Sequence, residues 1–190
     1  MGDMFSQFFR SLKRQRTMDP LHVTMTGVRM GERFVQVGCD DTALLSGLAG
    51  KVGLSGTSLV IALTEDDATR AREVGRTAGV LIDVREVDAH EWGADARALD
   101  LVVIDDTRGT FARLPESDRR TLLTQAHQRL RIGGRIEMVE RLMVPGLLGG
   151  AITRPEGYQT ESALAAAGFR PVRVLGETDG VRFVEGLRSA

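Results

Sequence analysis

Phe169-Arg170-Pro171-Val172-Arg173-Val174-Leu175 and Val181-Arg182-Phe183-Val184-Glu185-Gly186-Leu187 are two short β-branched runs joined by a turn at Thr178-Asp179-Gly180. Runs of this length and composition read as strands. Parallel strands need a crossover of about a dozen residues or more, so two strands joined by a tight turn are antiparallel. The chain therefore finishes in an antiparallel hairpin.

Working back from the hairpin, strands and helices alternate. Thr160–Ala167 is a short Ala-rich helix ended by Gly168. Arg135–Val139 reads as a strand after the Gly133-Gly134 turn, and Pro115–Leu130 as the helix before it, with proline at a tolerated early position. Leu99–Ile104 is a strand stopped by Asp105-Asp106, and Val80–Val87 is another. Glu65–Thr77 is a helix: Thr64 suits its N-cap, Glu65, Asp66 and Asp67 suit the dipole of its first turn, and Gly79 ends it. Ser58–Leu63 is continuously apolar, which implies burial on both faces, as in a parallel sheet. Thr42–Lys51 is helical in its apolar spacing, and Arg33–Val37 is a first strand running into Gly38-Cys39. Strand–helix alternation implies right-handed crossovers and a parallel sheet. The expected fold is thus α/β and Rossmann-like: seven strands, mostly parallel, with helices on both faces and a closing antiparallel hairpin. Ordinary dinucleotide-binding domains do not end this way.

The chain has 190 residues, 42% hydrophobic and 27% charged, with a net charge of −1. This suits one soluble domain and gives no global drive toward nucleic acid. One cysteine, Cys39, excludes an internal disulfide framework, and the histidines (His22, His90, His127) are too scattered for a zinc site. No apolar run approaches the ~20 residues of a membrane span. The N-terminus lacks the order of a secretory signal, because its basic residues follow its apolar ones. The expected location is cytoplasmic.

In order and spacing, several strings resemble the class I S-adenosylmethionine-dependent methyltransferases over about Met30 to Arg188. Gly31–Cys39 looks like the family's first strand and glycine-rich loop, Ser58–Glu73 like the second strand and its helix, and Val87-Asp88-Ala89 like the motif after the third. Leu99–Asp106 is similar to the fourth strand, Arg129–Arg135 to the turn before the fifth, and Ala166-Ala167-Gly168-Phe169 to the approach to the terminal hairpin. The resemblance implies S-adenosylmethionine as cofactor; the minimal domain points to a small-molecule methyl acceptor, and the near-neutral charge to no nucleic-acid partner. The resemblance also implies a cofactor site at Gly38, Cys39, Asp40, Asp41, Ala62, Leu63, Asp88, Ala89 and Asp105, with Asp88 accepting from the adenine amino group. It assigns no catalytic residue and no metal. Ligands of open α/β sheets bind beyond the carboxyl ends of the strands, and methyl transfer depends mainly on in-line placement.

Four positions depart from the family pattern. Gln36 stands where an acid is usual, Asp40 and Thr42 replace two loop glycines, and Ala62 replaces the acidic ribose ligand, with Thr64 and Glu65 as neighbouring substitutes. A lost charged hydrogen bond costs ~1.5–3 kcal/mol, so the expected cofactor binding is weak. Asp40 and Asp41 are read either as contacts to the cofactor's cationic groups or, for Asp41, as the cap of the following helix. Asp105 and Asp106 are read as site residues or turn formers. His90 and Trp92 are read as lining the site or simply packing, and Cys39 as a small buried residue.

Residues 1–29 form a separate expected unit, an N-terminal basic amphipathic helical extension; residues 30–190 form the domain. Phe5, Phe8, Phe9 and Leu12 fall on one helical face, beside Arg10, Lys13, Arg14 and Arg16. Peripheral membrane contact through residues 5–16, a lid over the cleft, packing on a partner subunit and a disordered terminus are the readings open to it. The turn-rich Val144–Gln159 suits a mobile cover over the acceptor. Two functions follow: an active methyltransferase, or a non-catalytic relative that keeps the fold as an interaction module. A nicotinamide-dinucleotide reductase is disfavoured by the missing Gly-x-Gly-x-x-Gly and by the closing hairpin.

Overall fold

The computed structural model describes residues 20–86, 92–93, 96–142, 155 and 157–190. Residues 5–16, Asp88, Ala89 and His90, and most of the segment 144–159, lie outside the described residues. The elements run α1 (Pro20–Met25), β1 (Arg33–Val37), α2 (Thr42–Val52), β2 (Thr57–Ala62), α3 (Glu65–Ala78), β3 (Asp83–Glu86), β4 (Leu99–Asp106), α4 (Glu116–Arg129), β5 (Leu130–Arg141), α5 (Thr160–Ala166), β6 (Val172–Thr178) and β7 (Val181–Leu187).

The seven strands form one sheet in the order β3-β2-β1-β4-β5-β7-β6. β3, β2, β1, β4 and β5 pair in parallel. β7 pairs antiparallel with both β5 and β6, so it is inserted between them and β6 forms the edge of the sheet. Side chains alternate across the sheet. Val35, Val37, Val102, Ile104 and Ile136 pack with Leu122, Leu123 and Ala126 of α4 and Leu164 of α5. Phe34, Val60, Leu101 and Val103 pack on the other face with Leu44, Leu45 and Leu48 of α2 and Ala71 and Val74 of α3. Helices cover both faces, as the continuous apolarity of β2 requires.

Several boundaries move for local reasons. β3 begins at Asp83 rather than Val80, and Leu81 is largely exposed. β5 begins at Leu130, which pairs with Leu99 before the register shifts and resumes at Leu101–Arg135. β6 begins at Val172: Pro171 has no N–H to give a ladder, and Phe169 is buried in the core, edge-on to His127. The turn residues Asp179 and Gly180 both adopt positive φ. α1 packs against α2 and β6. A Cβ on Gly47 would meet Val23 at 2.5 Å, and His22 lies 5.6 Å from the Phe183 ring. Arg135 ties the following turn by pairing with Glu32 and donating to the Gly27 carbonyl.

One buried pair opposes this packing. Glu137 of β5 stands directly across from Glu185 of β7 and is fully buried. Burial, then the Glu185 charge, push its carboxyl up to about 9. A carboxyl raised on folding gives stability that is full below its unfolded range, near pH 4.5, and is lost as pH rises toward 9. Glu137→Gln is therefore expected to raise stability at pH 8 by ~1 kcal/mol or more and to leave it nearly unchanged at pH 4. Thermal unfolding at the two pH values checks this.

Candidate functional site

Parallel pairing brings the carboxyl ends of β2, β1 and β4 side by side, with β1 in the middle. The loop after β1 lies between the start of α3 and the turn after β4. Gly38 begins that loop at φ +78°, and its amide donates to the Ile61 carbonyl at 2.9 Å. A Cβ there would sit 3.1 Å from the Asp105 carbonyl oxygen, so this position needs glycine for both dihedral and space. Asp40, Asp41 and Thr42 have no positive φ. The backbone therefore does not require glycine at Asp40 or Thr42.

Three carboxylates are built into the loop. Asp105 is fully buried beneath it. It accepts from Asp41 N at 2.7 Å and from the Thr107 hydroxyl at 2.8 Å, and Gln36 Nε2 donates to it at 3.4 Å and to the Gly38 carbonyl at 3.1 Å. Gln36 is fully buried too. A carboxylate in its place would face Asp105, whereas the amide donates to it. Burial, and further down the Asp40 charge, push Asp105 up to about 7 against the hydrogen bonds that lower it. Asp40 is 1% exposed and reaches across to the turn after β4. It accepts from Arg108 N at 2.9 Å, Thr110 N at 3.3 Å and the Thr110 hydroxyl at 2.6 Å. Asp41 caps α2, accepting from Ala43 N at 2.8 Å and Leu44 N at 3.3 Å.

On the other side, Thr64 caps α3 by accepting from Asp67 N at 3.1 Å. Asp67 accepts from Leu63 N and from Arg70, and Arg70 donates to the Cys39 carbonyl at 2.7 Å. The Cys39 side chain is buried in the α2 core, where burial first, then the Asp105 charge, push its thiol up to about 12. It packs rather than reacts. Ala62 is buried within β2. Trp92 is fully buried in the α4 core and packs there.

A cavity of about 420 Å³ opens at these strand ends, bordered by Asp40, Thr64, Asp66, Arg70, Arg108 and Arg113. It meets, at Asp40 and Arg108, a wider one of about 1080 Å³ that runs along the small-residue face of α2. A second polar group stands at the ends of β4 and β5. Asp106 accepts from Ala112 N at 3.0 Å, and Thr160 donates to Glu140 at 2.6 Å. Arg119 lies 5.0 Å over the Tyr158 ring, and burial, then the Asp106 charge, push the Tyr158 hydroxyl up to about 12.

The structure brings Gly38, Cys39, Asp40, Asp41, Leu63 and Asp105 together around one loop. The residues that line the cavity beside them, Arg70, Arg108, Thr110 and Arg113, were not foreseen. The i,i+3 spacing of Asp67 and Arg70 was a signal for one of them. The turn Thr107–Thr110, just past a strand's carboxyl end, was a signal for two more. Among the described residues, no group of three or more His, Cys, Asp or Glu side chains is placed to hold a metal, and no helix is long and apolar enough to cross a membrane.

No family model matches the sequence, and no curated protein matches it. Solved structures do match. A SAM-dependent methyltransferase from Aquifex aeolicus superposes with a TM-score of 0.72 at 18% identity, over 96% of this chain and 97% of that one. A SAM-dependent O-methyltransferase from Thermotoga maritima gives 0.64 at 17% identity, over 96% and 70%. An O-methyltransferase family protein from Burkholderia thailandensis gives 0.66 at 14% identity, over 90% and 56%. The chain has the Rossmann-like fold of the class I S-adenosylmethionine-dependent methyltransferases. At these identities the likeness is one of fold.

Gly38→Ala is expected to cost ~1–2 kcal/mol from the left-handed dihedral alone, with a further penalty from the contact to the Asp105 carbonyl. The midpoint of urea unfolding measures it, and an unchanged midpoint would contradict the loop geometry.

Proposed function

We propose that this protein is an S-adenosylmethionine-dependent methyltransferase for a small-molecule acceptor, with weak cofactor affinity. The observation that carries the reading is the 420 Å³ cavity at the carboxyl ends of β1, β2 and β4, where open α/β sheets bind ligands. Its residues suit a nucleoside. Thr64 and Asp66 supply polar side chains just past β2, in place of the acid missing at Ala62. The cofactor would supply an electrophilic methyl group on a sulfonium. The chain's part is to bind and orient, which accounts for most of the rate in a transfer of this kind.

A second reading, a non-catalytic relative, has its own support. Asp41 N, Leu63 N and Arg108 N, backbone donors around the loop, are already given to Asp105, Asp67 and Asp40.

Calorimetric titration of the purified protein with S-adenosylmethionine and its demethylated product separates the two. Saturable binding at sub-millimolar ligand, weakened by Asp66→Ala, is the expected result. Heat indistinguishable from dilution at millimolar ligand would exclude the enzyme reading and leave the non-catalytic one.

A further inference from the structure

The loop after β1 and the turn after β4 are joined by one side chain. Both oxygens of Asp40 are used: Oδ2 by Arg108 N and Thr110 N, and Oδ1 by the Thr110 hydroxyl. Two backbone amides and a hydroxyl converging from two residues, Arg108 and Thr110, form a small anion-binding concavity. The guanidinium-bearing side chains of Arg70, Arg108 and Arg113 line the same cavity and add positive potential to it. The backbone does not call for glycine here, because residue 40 lacks a positive φ. Asp40 also borders both cavities.

We propose that Asp40 is an internal ligand: it fills a carboxylate-binding site made by Arg108 N, Thr110 N and the Thr110 hydroxyl. A carboxylate-bearing ligand of amino-acid type enters the cleft by displacing it. Affinity for such a ligand is then the difference between two carboxylates competing for one set of donors. The site exists whatever the activity. Only the identity of the natural competitor, the carboxylate of S-adenosylmethionine, rests on the function proposed above.

The test uses the full chain carrying Asp40→Ala, with acetate as the probe and sodium chloride at equal ionic strength as the control. Acetate at tens of millimolar is expected to raise the thermal midpoint of the variant by a few degrees and to leave the unsubstituted protein unchanged, because only the variant has vacant donors. S-adenosylhomocysteine is expected to bind the variant ~10-fold or more tightly than the unsubstituted protein, the gain expected when a competing group is removed. If acetate stabilises the variant while S-adenosylhomocysteine binds neither protein, the carboxylate site stands and the methyltransferase reading falls. If acetate stabilises both proteins equally, or neither, the internal-ligand proposal is overturned. Should Asp40→Ala not fold, Asp40→Asn carries the test: its uncharged amide competes less well, so the acetate shift is smaller but present. No acetate shift in a folded Asp40→Asn protein overturns the proposal.

Discussion

The parallel pairing of β1 with β4 governs the carboxyl edge of this molecule. With Val37 opposite Ile104, the chain beyond each strand has to turn in the same small space. The amides and carboxylates there are shielded from water and need partners within the protein. Asp105 meets the demand from below the loop, by holding Asp41 N and the Thr107 hydroxyl. Asp40 meets it from above, by holding the turn at Arg108 and Thr110. Gln36 supplies the donor that keeps the buried Asp105 next to the Gly38 carbonyl. Substitutions that look like losses against a glycine-rich pattern are, in this chain, the parts of one hydrogen-bonded unit.

How much of this was legible depended on the range of the interaction. Local signals read well. Val181–Leu187 was placed to the residue as β7, Thr64 and Gly79 bound α3 as expected, and Asp41 is a helix cap. The antiparallel ending followed from chain connectivity, whereas the order β3-β2-β1-β4-β5-β7-β6 is a finding of the structure. Boundaries failed where a partner strand decides them, as at Leu130, whose extended pairing is set by Leu99. The role of Asp40 was out of reach for the same reason. Its donors lie 68 and 70 residues further along, and periodicity carries no information at that distance. Asp40 is expected from the sequence as a cofactor contact; in the fold its carboxylate accepts from Arg108 N, Thr110 N and the Thr110 hydroxyl. Asp88 and Ala89 fall outside the described residues, so their part in the site stays an expectation.

Satisfying a site from within has a cost for binding. A ligand gains from a backbone amide only what exceeds the bond that the amide already makes. A loop whose donors are spent is better ordered and less receptive than one that leaves them to solvent. The two functional readings are thus the ends of one scale, set by how firmly Asp40 and Asp67 hold their partners. The larger cavity along α2 adjoins that lock at Asp40 and Arg108.

The two outer strands have a consequence for how copies of the chain meet. An open sheet with long, apolar edges invites another chain to continue the ladder. Here β3 is only four residues long and carries Asp83, Arg85 and Glu86. At the opposite margin β6 breaks register between Val174 and Gly176, and its Arg173 is paired with Glu185. A neighbouring molecule arriving at either margin meets charge or an interrupted ladder. Charge and a broken register at the margins are devices by which edge strands discourage the addition of a further chain, and they leave the hydrophobic strands to the middle of the sheet.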